Sequence, residues 1–200
     1  MDVSEEHLLH QAIQRHIKKI GIPDIVIANA GVSTGTLNGE REDLVTFKRM
    51  MDINLYGVMH TFLPFIHAFK KRKSGQLVGI ASVAGIRGLP GSGAYSASKA
   101  ALINYLESMR IEMLPFNIQV TTIAPGYIKT PMTHSNPYAM PFILEVDKAV
   151  TLFIKAIDQK KKFIIIPWQM NIVGKLMRLL PASVWDFLAK RGPKKLRAMI

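Results

Sequence analysis

Short strand-like runs alternate with longer stretches whose apolar residues recur at helical spacing. The runs are Ile25 to Ala28, Leu77 to Ala81, Ile118 to Ala124 and Phe163 to Ile166. Alternation of this kind predicts a parallel α/β sheet with flanking helices. The first helix is expected to run from an N-cap at Ser4 to about Lys19, with Glu5 and Glu6 at its positive end and Gly21-Ile22-Pro23 stopping it. A second helix carries Leu44, Phe47, Met51, Leu55, Val58 and Phe62 in one stripe, read as core rather than as a ligand site. Lys70 to Lys73, followed by Gly75, read as a basic, solvated helix end. A third helix carries Tyr95, Leu102, Leu106 and Met109 and ends near Leu114, and residues 145–158 form a fourth.

The strands end in polar or glycine-containing turns: Asn29-Ala30-Gly31, Gly79-Ile80-Ala81-Ser82, and Pro125-Gly126-Tyr127-Ile128-Lys129-Thr130. Open α/β sheets place their ligands at such strand ends. A glycine-rich loop, Gly85 to Gly93, leads from Ser82 into the helix of Tyr95-Ser96-Ala97-Ser98-Lys99. Positions four apart share a helix face, so the ammonium of Lys99 can sit beside the phenol of Tyr95. A free phenol titrates near 10, and bringing it to about 7 takes roughly 4 kcal/mol of preference for phenolate. A lysine in a partly dry cleft, helped by a cationic cofactor ring, supplies stabilisation of that sign. Alone, this spacing also fits a solvated helix face; the strand-end context separates the two.

Taken together, these residues resemble the short-chain dehydrogenase/reductase family over nearly the whole chain. Asn29-Ala30-Gly31 looks like the family's N-A-G turn, and Asn54, Ser82, Tyr95 and Lys99 fall where its catalytic tetrad falls. Pro125, Gly126, Ile128 and Thr130 lie in the segment that matches the border of the nicotinamide. The resemblance implies a Rossmann-like sheet and an oxidoreductase that interconverts a carbonyl and a secondary alcohol with NAD or NADP. It makes Tyr95 the acid or base, with Lys99 holding the nicotinamide ribose and lowering the phenol pKa. Ser82 would orient the substrate oxygen. Asn54 would hold, through a local helix distortion, a water linking Lys99 to solvent.

The family begins with a strand, a glycine-rich turn and a helix that cradle the cofactor pyrophosphate. The glycines here, Gly85, Gly88, Gly91 and Gly93, follow the Ser82 strand and have the wrong order for that fingerprint. Met1-Asp2-Val3-Ser4 resembles the end of the family's third strand, which makes Asp2 and Val3 expected adenine contacts. The expectation is therefore an N-terminally truncated sheet in which the Ile25 to Ala28 strand becomes an apolar edge. Two origins stay open: an internal methionine of a longer reading frame, or a shortened gene. Either leaves a second functional reading, an inactive fragment acting as a protein- or membrane-binding module.

Composition narrows the classes further. The 200 residues fit a single domain, expected over 1–200, and 48% are hydrophobic with no run long enough to span a bilayer. The absence of cysteine excludes disulfides and thiolate chemistry and suits a cytoplasmic location. Much of the formal net charge of +12 lies from Lys160 onward. Residues 167–200 read as a basic amphipathic helical tail. Ile172, Val173, Leu176, Met177 and Leu180 share one face, with Lys175 and Arg178 opposite. Trp185, Phe187 and Leu188 then precede Lys190, Arg191, Lys194, Lys195 and Arg197. Such a tail either caps a substrate pocket with its charges in water or lies on an anionic membrane surface. Met132, Tyr138, Met140 and Phe142 are candidate walls of a pocket for a lipophilic small molecule, in a segment that the family closes over its substrate. Homo-oligomer contacts fit the same resemblance. Nucleic-acid binding lacks a recognition module. No metal is expected, because His7 and His10 have no accompanying ligand pattern. A serine hydrolase is excluded because neither Ser82 nor Ser92 stands in a G-x-S-x-G elbow.

Overall fold

The computed structural model describes residues 1–134, 136–190, 192 and 195–197. Among them, four parallel strands form one sheet in the order β1-β2-β3-β4: β1 Ile25–Ala28, β2 Gly75–Ile80, β3 Ile118–Pro125 and β4 Phe163–Ile166. The helices are α1 Glu6–Ile20, α2 Asp43–Met51, α3 Gly57–Arg72, α4 Gly93–Met113, α5 Pro131–His134, α6 Val146–Asp158, α7 Trp168–Leu179 and α8 Ala182–Ala189. This is the parallel α/β sheet that the alternation predicts.

Successive side chains of a strand point to opposite faces, and the core divides accordingly. Leu77, Val120 and Ala124 join Phe62, Phe65, Phe69, Leu102, Leu106 and Met109 from α3 and α4 on one face. Val78 and Ile123 join Ala149, Ala156 and Ile157 of α6 on the other. Strand β1 is an edge, as expected. Val26 and Ala28 enter the first cluster, whereas Ile25 and Ile27 stay 42% and 49% exposed.

Three local expectations are corrected. Glu5, not Ser4, occupies the N-cap of α1, and its side chain makes no cap bond. The Ser4 hydroxyl instead donates to Asp2 Oδ1 and accepts from Arg49. The helix expected from Leu44 through Phe62 is interrupted by a π turn at Asp52–Tyr56. Thr46, Met50, Asn54, Val58 and Phe62, at steps of four, are the buried line, and Leu44 is 66% exposed. Steps of four overshoot a normal helical turn, and the wider π turn absorbs part of that drift. In the tail, Met170, Val173, Gly174 and Met177 face inward, whereas Ile172 and Leu176 face solvent with Lys175, so the expected single apolar face is split. Arg191 and Lys194 of the basic cluster lie outside the described residues.

Candidate active site

Ser82 stands two residues after the end of β2, past Ala81. Its extended backbone leads into a short 3-10 turn, Val83–Gly85. The Ser82 hydroxyl accepts from the Ala84 N–H at 3.1 Å and reaches the Pro125 carbonyl at 3.5 Å, so it lies between the ends of the two central strands. The loop then presses onto α4: a Cβ at Gly85 would stand 2.7 Å from the Lys99 carbonyl oxygen. Such close approach requires glycine there.

Tyr95 lies in the first turn of α4 and hydrogen-bonds Ser82. Burial pushes its phenol pKa above the usual value, and the Ser82 contact pulls it part of the way back. One turn on, Lys99 is 4% exposed, and its Nζ donates to the Ile80 carbonyl at 2.8 Å. Burial pulls its pKa down to about 8. The ammonium stands 5.9 Å from the Tyr95 ring centroid. The expected lowering of the phenol pKa by Lys99 is not what this geometry produces, because desolvation dominates at Tyr95 and the ammonium is turned to a backbone carbonyl.

Asn54 lies in the π turn and is fully buried. Its Oδ1 accepts from the Val32 N–H at 2.8 Å, and its Nδ2 donates to the Val32 carbonyl and the Ser98 hydroxyl, both at 3.0 Å. The Ser98 hydroxyl donates in turn to the Tyr95 carbonyl at 2.9 Å. The helix distortion expected at Asn54 is therefore present, and it fixes the turn after β1 against the start of α4. At that turn, a Cβ on Gly31 would stand 3.2 Å from Asn54 Oδ1 and 3.4 Å from Lys99 Nζ. Asn29 and Ala30 beside it are exposed.

Asn54, Ser82, Tyr95, Lys99 and Gly31 thus converge, with Pro125 at the Ser82 hydroxyl. Gly126 donates to the Ile166 carbonyl at 2.7 Å, Ile128 pairs with Leu144, and the Thr130 N–H donates to Thr133 Oγ1 at 3.0 Å, which shapes the chain after β3. Tyr138 stacks edge-on to Tyr127 at 6.4 Å. Its phenol pKa is raised, chiefly by burial and further by the Tyr127 and Tyr95 phenols, so Tyr138 borders the cleft. Met132 and Phe142 are 38% and 47% exposed, and Met140 is half-buried. Asp2 and Val3 make no described contact with Ser82, Tyr95 or Lys99. The Asp2 carboxylate is held by Ser4 and Arg49, which lowers its pKa to about 2, and Val3 packs over Gly57.

Sequence reasoning missed Val32, Ser98, Ser33 and the C-terminal residues that reach this turn. Ser98 had a signal, a small hydroxyl residue one position before the lysine. Val32 acts through its backbone, which leaves no signature in side-chain type.

The family model described as short chain dehydrogenase matches residues 1–140. An uncharacterized oxidoreductase of Myxococcus xanthus is 36% identical over 191 residues, covering 96% of this chain and 75% of that protein. A 3-ketodihydrosphingosine reductase of Bacteroides thetaiotaomicron is 33% identical over 134 residues, covering 66% of this chain and 49% of that protein. The chain therefore spans three quarters of one relative and about half of the other. A solved 4-hydroxyisoleucine dehydrogenase complexed with NADH superposes with a TM-score of 0.69 at 28% identity, over 83% of this chain and 77% of that one. With its parallel sheet, its ordered strand-end turns and these matches, the chain belongs to the short chain dehydrogenase family.

Proposed function

We propose that this site serves an NAD(P)-dependent oxidoreductase that interconverts a carbonyl and a secondary alcohol. One observation carries the reading: the Ser82 hydroxyl, the Tyr95 phenol and the buried Lys99 ammonium meet at the ends of β2 and β3, with no carboxylate paired to Lys99 among the described residues. A buried cation needs polar partners, and Ile80 satisfies only one of its three N–H donors. The remaining donors fit the ribose hydroxyls of a nicotinamide nucleotide. The missing Cβ of Gly31 leaves room for such a ring edge beside Lys99.

Asn29, Ala30, Gly31, Lys99 and the Pro125 to Thr130 segment are the residues that would hold the nicotinamide end. Hydride exchange with the substrate carbon is the chemistry that this group supplies when bound. Ser82 donates to the substrate oxygen and fixes its position. In reduction Tyr95 delivers its phenolic proton to that oxygen, and in oxidation the phenolate removes it. The high phenol pKa of the ligand-free site keeps Tyr95 protonated, the form required for reduction. Tyr138 borders the cleft in a segment that also carries Met140, which supports a lipophilic substrate, whereas Phe142 lines a separate groove with Leu144, Leu152 and Trp168. A matched relative is named as a 3-ketodihydrosphingosine reductase.

The test is Tyr95→Phe, assayed with NADH and NADPH in this chain and in a form extended upstream. Loss of turnover by about 10²–10⁴-fold with cofactor affinity kept is expected. Undiminished turnover refutes Tyr95 as the proton donor, and no binding or turnover in either form favours a non-catalytic binding module.

A second reading has its own support. No helix among the described residues is long and apolar enough to cross a membrane. The outward face of α7 nevertheless carries Trp168, Ile172, Leu176 and Leu179, 51–79% exposed, beside Lys175 and Arg178. Peripheral contact of that face with an anionic membrane would cover the apolar stripe.

A further inference from the structure

After α8 the chain returns to the cleft. The Leu196 carbonyl accepts from the Gly35 N–H at 2.9 Å and from the Thr34 hydroxyl at 3.3 Å, and Arg197 pairs with Asp43 at 3.0 Å. Gly35 permits this approach, since a Cβ there would stand 2.6 Å from the Leu196 oxygen. The strap carries Lys195 Nζ to Ser33 Oγ at 3.0 Å and to the Met132 carbonyl at 3.4 Å. Ser33 adjoins the Val32 backbone that Asn54 grips on both sides, and it lies two residues from Gly31 beside Lys99. Two residues of chain span at most about 7 Å. Met132 belongs to the segment after β3. Lys195 therefore bridges the two walls of the cleft at its mouth.

Both partners of Lys195 are neutral oxygens, and together they use two of its three N–H donors. Among the described residues no carboxylate pairs with it, whereas Arg197 next along has Asp43. Lys195 is half-buried, and that burial pulls its pKa down. A partly buried ammonium without a counter-charge is a place where an anion gains affinity.

We propose that Lys195 anchors an anionic head group, a carboxylate or phosphate, on the lipophilic substrate whose carbonyl reaches Tyr95. The inference rests on the oxidoreductase site for its second half only, so a binding measurement tests it apart from turnover. Decanoate and 1-decanol are titrated calorimetrically into the full chain and into Lys195→Met, Lys195→Arg and, as a control for general basicity, Lys175→Met. Decanoate is expected to bind about tenfold or more tightly than the alcohol, as one charge-assisted hydrogen bond supplies. That preference should vanish in Lys195→Met and persist in Lys195→Arg and Lys175→Met. Equal binding of acid and alcohol by the unmodified chain, or a preference that survives Lys195→Met, overturns the assignment. A loss of NADPH affinity in Lys195→Met, with the decanoate preference intact, also overturns it by moving the contact to the cofactor. Failure of the oxidoreductase reading shows separately, as turnover surviving Tyr95→Phe.

Discussion

Helices α4 and α7 both pack on the sheet face that carries α3, yet they end in opposite environments. Helix α4 crosses the two central strands and buries Leu102, Leu106, Met109 and Met113, with Leu102 and Leu106 fully enclosed. Helix α7 follows the edge strand β4 and buries only Met170 and Gly174, leaving Leu176 at 57% and Leu179 at 79% exposure. Few elements remain beyond an edge strand to cover a second side. The region after β4 is instead tied down at separate polar points. Arg87 donates to the Met177 and Leu180 carbonyls, both at 2.6 Å, Trp185 donates to the Gly88 carbonyl at 3.2 Å, and Leu196 reaches Gly35. The lesson is a division of labour. Residues that must hold a fixed geometry ride on the helix locked by packing, and the strap that reaches the cleft mouth belongs to a loosely covered tail.

The sharpest way to break this contrast is to truncate one leucine on each helix. Leu106 fills the space over Gly79, where its side chain leaves no room for a Cβ. Leu106→Ala is expected to lower the unfolding free energy by about 3–4 kcal/mol, from lost transfer energy plus a cavity in a rigid surround. Urea denaturation measures it. A cost under about 1 kcal/mol would mean that α4 is no better packed than α7.

A somewhat smaller effect concerns charge in the same region. Burial holds the Lys99 pKa down at about 8, against the usual 10.5 of a solvated lysine. Between those values the unfolded chain binds a proton that the folded chain does not. Stability therefore rises with pH across that window, by about 3 kcal/mol in all, and the cost of the buried charge is felt fully below it. Lys99→Met should flatten the rise, which urea unfolding near pH 7.5 and near pH 10 will show. A variant as steep as the unmodified chain would place the titration elsewhere.

Four strands, the helix of Tyr95 and Lys99, and the strand-end turns were legible in the sequence, because each rests on local periodicity or on residue types with special backbone roles. The resemblance implies a helix distortion at Asn54, but not its form: the π turn that buries Met50 and leaves Leu44 exposed breaks the apolar stripe read from the sequence. Burial raises the Tyr95 phenol pKa in the ligand-free site, and sequence spacing shows neither that burial nor the Ile80 carbonyl that takes the Lys99 ammonium. Lys195 was counted in a basic cluster without a destination. Its contact with Ser33 joins residues 162 apart, and no local pattern encodes such a pairing.

The smallest expected change, and the one that separates the two faces of α7, is Leu176→Ser. The side chain is more than half exposed beside Lys175 and Arg178, so the substitution should alter unfolding free energy by no more than about 0.5 kcal/mol. Sedimentation with phosphatidylserine vesicles gives the second readout. Each leucine inserted at an interface adds apolar burial, and the flanking cations add attraction to anionic lipid. The unmodified chain should therefore sediment with these vesicles and not with neutral phosphatidylcholine, and the variant should sediment less. A stability loss above about 1.5 kcal/mol would mean that this face is covered within the protein, and unchanged sedimentation would remove Leu176 from any membrane contact. If stability and sedimentation both behave as expected, the exposed stripe of α7 is a surface kept for a partner, in the same helix whose inward face, through Met170 over Gly126, closes the end of the sheet.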